Sequence, residues 1–204
     1  MLRRIIAFVF FISTVTAGYA QLVTKKDYKA AIGVQAGAEC GIFPSAAISQ
    51  VKITPTAGLK MTFPFNRKWF VGSEINYSRL HTRNKYSDAQ GENRIELDLH
   101  QLMVPVYAKY MLNSNRATLL FGGHLTYQFD NKSDVSSPVE IKKWNGGITA
   151  GYEQLFTSRL HLTFKIAYGL LSQIESSADK KFTPLKASLS LSYDLLRIGD
   201  CGCH

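Results

Sequence analysis

The stretch Leu185-Lys186-Ala187-Ser188-Leu189-Ser190-Leu191-Ser192-Tyr193-Asp194-Leu195 places an apolar residue at every odd position and a polar or charged one at every even position. Successive side chains of a strand point to opposite faces, so this segment has one greasy side and one wet side. The preceding segment, Leu160 to Leu170, follows the same rule in the other phase. Leu160, Leu162, Phe164, Ile166 and Tyr168 point one way, and His161, Thr163 and Lys165 the other.

Working outward, period two recurs at Ala30–Cys40, Ile53–Phe63, Trp69–Leu80, Ile95–Leu112, Ala117–Phe129 and Trp144–Leu155, and no stretch longer than two turns keeps the 3.6 period of a helix. With the two segments above, the expected strands number eight. Their connections alternate in length. Pro64-Phe65-Asn66-Arg67-Lys68, Asn113-Ser114-Asn115-Arg116 and Phe156-Thr157-Ser158-Arg159 are brief, whereas Gly41–Lys52, His81–Arg94, Asp130–Lys143 and Ser172–Pro184 are several times longer. Short turns at one end and long loops at the other indicate an all-β fold, an eight-stranded antiparallel up-and-down transmembrane β-barrel. An immunoglobulin-like sandwich would not produce this regular alternation. Strands near the 9 to 11 residues needed to cross hydrocarbon favour a membrane barrel over a soluble periplasmic one.

Within Ile95–Leu112 the outward phase changes: Ile95, Leu97 and Leu99 are odd, while Leu102, Val104, Val106, Ala108 and Tyr110 are even. One extra residue near His100-Gln101 would repair the register, which predicts a β-bulge there. Pro105 lacks a ladder donor, so this strand must tolerate a missing hydrogen bond. Aromatic residues gather near strand ends at Trp69, Tyr77, Tyr110, Tyr127, Phe129, Trp144, Tyr152, Tyr168 and Tyr193, with Phe63 and Phe65 at a turn, as membrane-interface girdles do.

If the apolar faces meet lipid, the opposite faces line the interior. They carry Glu39, Lys60, Glu74, Glu96, Asp98, Lys109, Glu153, Lys165, Lys186 and Asp194, with Gln35, Asn76, His100, His124, Gln128 and His161. An eight-stranded barrel is just wide enough to be filled by side chains, so these groups should form an interior polar network with little or no conductance. Gly33, Gly37, Gly58, Gly72, Gly122 and Gly169 would make room for the longer side chains. A Lys or Arg on the lipid face would instead cost on the order of 2–4 kcal/mol at mid-depth.

The chain opens Met1-Leu2-Arg3-Arg4, continues apolar from Ile5 to Val15, and reaches Thr16-Ala17-Gly18-Tyr19-Ala20, the order of a secretory signal. Residues 1–20 are expected to be a signal peptide cleaved after Ala20, followed by a periplasmic lead (21–29), the barrel (30–196) and a periplasmic tail (197–204). The apolar run is too short for the roughly 20 residues of a spanning helix. Losing Arg3 and Arg4 lowers the net charge from +9 to +7. Such a surface suits anionic lipid or polysaccharide, although scattered loop lysines and arginines also serve simply as solubilising charge.

Nothing in the sequence calls for catalysis. His81, Asp88, Glu92 and His100 lie on or near the second long loop, and Ser172, Ser176 and Asp179 on the fourth, but no two show a diagnostic spacing. Cys40, Cys201 and Cys203 are an odd number. The terminal Cys201-Gly202-Cys203-His204 lacks the paired spacing of a zinc site, leaving a local disulfide or pairing with another chain as readings. No cofactor is implied, and nucleic acid is not an expected partner.

The order of these segments resembles the PorT-like outer-membrane β-barrel family of Bacteroidetes-type bacteria. The likeness rests on Ile32-Gly33-Val34-Gln35-Ala36-Gly37-Ala38, on Pro55-Thr56-Ala57-Gly58-Leu59, and on Trp69–Ser78 ending in Glu74-Ile75-Asn76-Tyr77-Ser78. It continues through Ile95–Leu99 into Met103-Val104-Pro105-Val106-Tyr107-Ala108-Lys109-Tyr110, then Ala117–Tyr127, Gly147–Tyr152 and Leu189–Tyr193. This chain adds Arg197–His204 after the final strand, where an aromatic end is common. The resemblance implies a non-enzymatic integral barrel of the bacterial outer membrane, with relatives in secretion or surface assembly. The expected partners are outer-membrane lipid, lipopolysaccharide and proteins at the long loops. The rival functions are a narrow transporter or small-ligand-binding barrel and, further off, a rim-located hydrolase or acyltransferase.

Overall fold

The structure, a computed structural model, describes residues 30–42, 47–88, 91–112, 116–135, 139–171, 174–176 and 181–198. In segments 47–51, 80–88, 91–98, 130–135, 139–141, 174–176 and 181–182, and at residue 198, only the backbone is described. The expected signal peptide and periplasmic lead, Cys201, Cys203, Ser172 and Asp179 fall outside these residues.

The strands are β1 (Ala30–Ile42), β2 (Ala47–Val51), β3 (Ile53–Pro64), β4 (Trp69–Asp88), β5 (Gly91–Met111), β6 (Ala117–Val135), β7 (Val139–Ile141), β8 (Trp144–Leu155), β9 (Leu160–Gly169), β10 (Ile174–Ser176), β11 (Lys181–Phe182) and β12 (Leu185–Ile198). Eight of them pair as β4-β3-β1-β12-β9-β8-β6-β5, and β5 pairs back onto β4, so the sheet closes. Every pairing is antiparallel, and β1 meets β12 from Ala30↔Ile198 to Ile42↔Leu185. Closure satisfies backbone donors and acceptors without an edge, which is what hydrocarbon demands of a spanning sheet.

The alternation of the sequence becomes an inside and an outside. On β9, His161, Thr163, Lys165 and Ala167 are buried, while Phe164, Ile166 and Tyr168 are exposed. On β12, Lys186, Ser190, Ser192 and Asp194 are buried and Leu189, Leu191 and Tyr193 exposed. The inversion is general among the described residues: Phe121 is 67% exposed and Lys165 only 3%. A soluble monomer rarely shows a contiguous apolar patch beyond about 300–600 Å². Here Val34, Leu59, Val71, Val106, Leu125, Ile148, Phe164 and Leu191 carry an apolar surface around the whole ring.

Two features correct the sequence expectations. The register shift does fall at His100/Gln101, but the pairing steps from His100↔Asp130 to Gln101↔Gln128, so the additional residue is Phe129 on β6. Strand β5 itself stays in register with β4 from Trp69↔Tyr110 to Asp88↔Gly91. Unbroken alternation then turns Leu99 inward, fully buried at 0%, instead of outward, and places His100 outside instead of in the interior. A one-residue excess on either strand repairs the same register, and local hydrophobicity cannot say which strand supplies it. Opposite Pro105, the β4–β5 ladder skips from Ser73↔Val106 to Asn76↔Met103, as a missing N–H requires.

The long connections are also not loose. Strands β4 and β5 continue as a ribbon to Asp88↔Gly91, β2 joins β4 from Ala47↔Lys85 to Val51↔Thr82, and β6 follows β5 to Val135. A separate three-stranded sheet, β11-β10-β7, forms from the third and fourth connections. A second shift, from Ile32↔Leu196 to Gly33↔Asp194, leaves Leu195 unpaired with β1 and puts both Leu195 and Leu196 outside.

Candidate functional site

The buried polar side chains assemble in tiers along the barrel axis. At the short-turn end, Glu153 on β8 receives Lys60 Nζ at 2.5 Å and Lys109 Nζ at 2.8 Å, from β3 and β5. Lys60 also donates to Ser192 Oγ (3.1 Å), and Thr163 Oγ1 donates to Glu153 (3.3 Å). His161 lies between two carboxylates, with Nδ1 at 3.3 Å from Glu153 and Nε2 at 3.1 Å from Asp194. Arg197 closes this tier through Nη2 to Asp194 at 2.7 Å.

The middle tier is built on Glu74, which is 0% exposed. It pairs with Lys165 and accepts the Tyr107 hydroxyl, while Asn76 Nδ2 and Gln35 Nε2 each donate to Oε2 at 2.7 Å. Gly72 permits this arrangement, because a Cβ there would collide with the Tyr107 ring. Above it, Gln101 Nε2 donates to Glu39 Oε1 (3.0 Å) and Ser78 Oγ (2.9 Å), and its carbonyl accepts Lys186 Nζ at 2.6 Å. Charges drawn from strands far apart in sequence thus neutralise one another, and hydrogen bonds occupy many of their remaining lone pairs.

Toward the long loops the character changes. His124 shares a hydrogen bond with Thr149 at 2.9 Å, over Gly147, where a Cβ would crowd its ring. Thr126 Oγ1, both amide atoms of Gln128 and Asn145 Oδ1 are buried and make no hydrogen bond to protein. The crevice beneath His124, Asn145, Gly169 and Lys186 has essentially no free volume, and the one between Gln35, Glu39, Asn76 and Lys165 encloses about 10 Å³. The latter is room for about one water.

The structure therefore brings together Glu39, Lys60, Glu74, Lys109, Glu153, Lys165, Lys186 and Asp194. The side chains of Glu96 and Asp98 lie outside the described set. Sequence reasoning missed Tyr107, Gln101, Ser78 and Arg197 as members of the network. Tyr107 already shared the inward phase of Lys109, and Gln101 would have been disclosed had the bulge been assigned to β6. None of the tiers presents a catalytic geometry. His161 is buried, with Nε2 held by Asp194 at 3.1 Å and Nδ1 at 3.3 Å from Glu153 without a hydrogen bond of its own, so it has no open face toward a substrate. Among the described residues no cluster of three or more His, Cys, Asp or Glu could hold a metal ion. Cys40 is a free, half-buried thiol.

Outside, aromatic side chains flank the apolar belt at both ends. Near the short turns stand Trp69 and Tyr110, with ring centroids 4.9 Å apart, and Tyr152 and Tyr193. Near the long loops stand Tyr127 and Trp144 at 4.7 Å, Tyr168, and a Tyr77–His100–Phe129 cluster in which the Tyr77 hydroxyl meets His100 Nδ1 at 2.7 Å. Tyr77 follows Trp69, and Tyr152 follows Trp144, by eight residues, or about 26 Å along a strand. With a tilt of about 40° this spans roughly 20 Å of depth, close to the apolar band of an outer-membrane barrel. The exposed charges among the described residues lie beyond the girdles: Lys52, Arg79, Lys142 and Lys143 on the long-loop side, and Arg67, Lys68 and Arg159 on the short-turn side.

The sequence matches the outer membrane protein beta-barrel domain over residues 19–175. In fold the chain is similar to Neisserial surface protein A, with a TM-score of 0.51 and 10% identity over 80% of this chain and 96% of that one. It is also similar to Ail, the attachment invasion locus protein of Yersinia pestis (TM-score 0.47, 14% identity, 83% and 99% of the two chains). OprG from Pseudomonas aeruginosa aligns with a TM-score of 0.47 and 16% identity over 82% and 95%. Identities this low speak for fold alone. No curated protein matches the sequence.

Proposed function

The chain belongs to the outer membrane protein beta-barrel domain family, and on that footing we propose that it is a non-enzymatic barrel with a sealed interior, acting through its long-loop end as a structural or interaction protein. It is an eight-stranded β-barrel of the bacterial outer membrane. Its export uses residues 1–20 as a signal peptide cleaved after Ala20, its surroundings include lipopolysaccharide, and its role is that of PorT-like relatives in secretion or surface assembly.

One observation carries this proposal: the two ends of the barrel are built differently. At the short-turn end the strands stop at the girdle. At the other, β4 and β5 run on to Asp88 and Gly91 and β2 and β6 join them, so that a paired-strand platform projects past the aromatic ring. Meanwhile the tiers of ion pairs obstruct the axis, which supports a role outside the lumen over one in transport.

Two experiments test it. Thr82 and Leu97 face each other in the ribbon, so replacing residues 83–96 with Asn-Gly shortens it by a tight turn. The trimmed barrel should still fold, shown by a heat-dependent gel shift, yet in its native bacterium should reproduce the phenotype of complete deletion. Full rescue by the trimmed barrel would refute the proposal. Planar-bilayer recording of the intact barrel should show no steps; stable selective conductance would replace this reading with the narrow transporter.

A further inference from the structure

The outer surface is not uniform. Between β4, β5 and β6, near the short turns, Trp69, Ala108, Tyr110, Leu119 and Phe121 enclose a groove of about 330 Å³. Its form follows from the ladder. Ala108 is paired with Phe121 on one side and Val71 on the other, and Tyr110 sits between Trp69 and Leu119. A single methyl group thus forms the floor among large side chains, and the tilted Trp69–Tyr110 pair forms one wall. The groove is nearly wholly apolar, of a size and shape that suit a flexible hydrocarbon chain.

Its mouth is basic. Lys68 immediately precedes Trp69 and its carbonyl accepts the Met111 N–H at 2.8 Å, which fixes the Arg67-Lys68 turn at the rim end of β4 and β5. Arg67 and Lys68 are exposed. An apolar cleft at hydrocarbon depth with two cations at the headgroup level matches the two halves of one molecule.

We propose that this groove is a binding site for an anionic phospholipid, with one acyl chain lying over Ala108 against the Trp69–Tyr110 pair and the phosphate meeting Arg67 and Lys68. The proposal rests on the outer face being in lipid. It assigns the barrel a preferred lipid in the leaflet at its short turns and gives the Trp69–Tyr110 pair a role beyond general anchoring.

The chain contains two tryptophans, so Trp144→Phe leaves Trp69 as the only one. This variant is reconstituted in phosphatidylcholine vesicles containing a minority of lipid with brominated acyl chains, either phosphatidylglycerol or phosphatidylcholine, and quenching of Trp69 is read. Each basic side chain engaged near an anionic headgroup corresponds to about a fivefold preference, so brominated phosphatidylglycerol should quench several-fold more effectively. Arg67→Gln with Lys68→Gln should abolish the preference without altering the barrel, and Ala108→Leu, filling the floor, should weaken it; a heat-dependent gel shift checks that each variant folds. Equal quenching by the two lipids overturns the proposal and leaves the membrane assignment standing, as does a preference that survives the double substitution. Failure of both lipids to quench overturns both.

Discussion

At the short-turn end of the interior, Lys60, Lys109 and Glu153 close into a buried ion cluster that His161, Asp194 and Arg197 extend to the rim. At the long-loop end the inner wall holds amides, hydroxyls and His124 beside a single Lys186–Gln101–Glu39 chain, and several of the neutral atoms make no hydrogen bond to protein. The same barrel is therefore densely ion-paired at one end and more sparsely so at the other. Full charges taken out of water must be compensated by partners, so they enforce one arrangement, whereas neutral polar groups tolerate exchange with water at smaller cost. The densely paired end is also where the connections are shortest. The sparser end lies beneath the projecting strands, where a partner or a bound molecule would have to be accommodated.

The contrast can be broken most directly at Glu153. Glu153→Ala strands two buried lysines and should cost about 3–5 kcal/mol or more, read from urea unfolding in lipid vesicles. A loss under about 1 kcal/mol would mean that the lysines find other partners and that the cluster is not a lock. Glu74→Ala, which strands one lysine, Lys165, and takes an acceptor from Tyr107, Asn76 and Gln35, should fall near the lower part of the same range. Phe164→Arg probes the outer surface, midway between the girdles, and should cost about 2–4 kcal/mol in vesicles. The same substitution in a short-chain detergent with weaker depth dependence should cost less. At the sparser end, Gln128→Leu removes two amide atoms with no protein partner and should change stability by no more than about 1 kcal/mol, in either direction. A large loss there would show that Gln128 has a partner as firm as those of Glu74.

Hydrogen exchange sharpens the comparison without substitution. Amides of Lys60, Lys109 and Glu153 should be the last to exchange, and those of the β4–β5 ribbon beyond Leu80 should exchange earliest among the strands, because nothing described packs that ribbon against a second layer.

Much of this was readable along the chain because lipid and side-chain-filled lumen impose opposite polarity on alternate residues. Phe164 and Lys165 are neighbours in sequence and opposites in surroundings, and so are Tyr193 and Asp194. Eight such strands, with connections alternating in length, admit few other closures. The interior charges at Glu39, Lys60, Lys109 and Lys186 could be enumerated from their phase. The pairing could not: Lys60 and Glu153, or Glu74 and Lys165, are separated by some ninety residues, and several other combinations have compatible sign.

Leu99 and His100 show the second limit. A phase change within β5 was visible, but its repair depends on which of two adjacent strands carries the surplus residue, and Phe129 belongs to the neighbour. The long connections show a third, since His81–Arg94 alternates too weakly to announce a ribbon, and its strands exist because each supplies the other's hydrogen bonds.

Periodicity alone, then, sufficed for the eight barrel strands, for the polarity of their faces away from the bulge and for the depth of the apolar belt, because all three are set by whether each residue meets hydrocarbon or the lumen. Ring closure decided which carboxylate meets which lysine, where the bulge sits, that β4 and β5 extend into a platform, and that Trp69, Ala108 and Phe121 border one groove. Those properties belong to the lateral stacking of strands, a dimension that a linear order of residues does not contain.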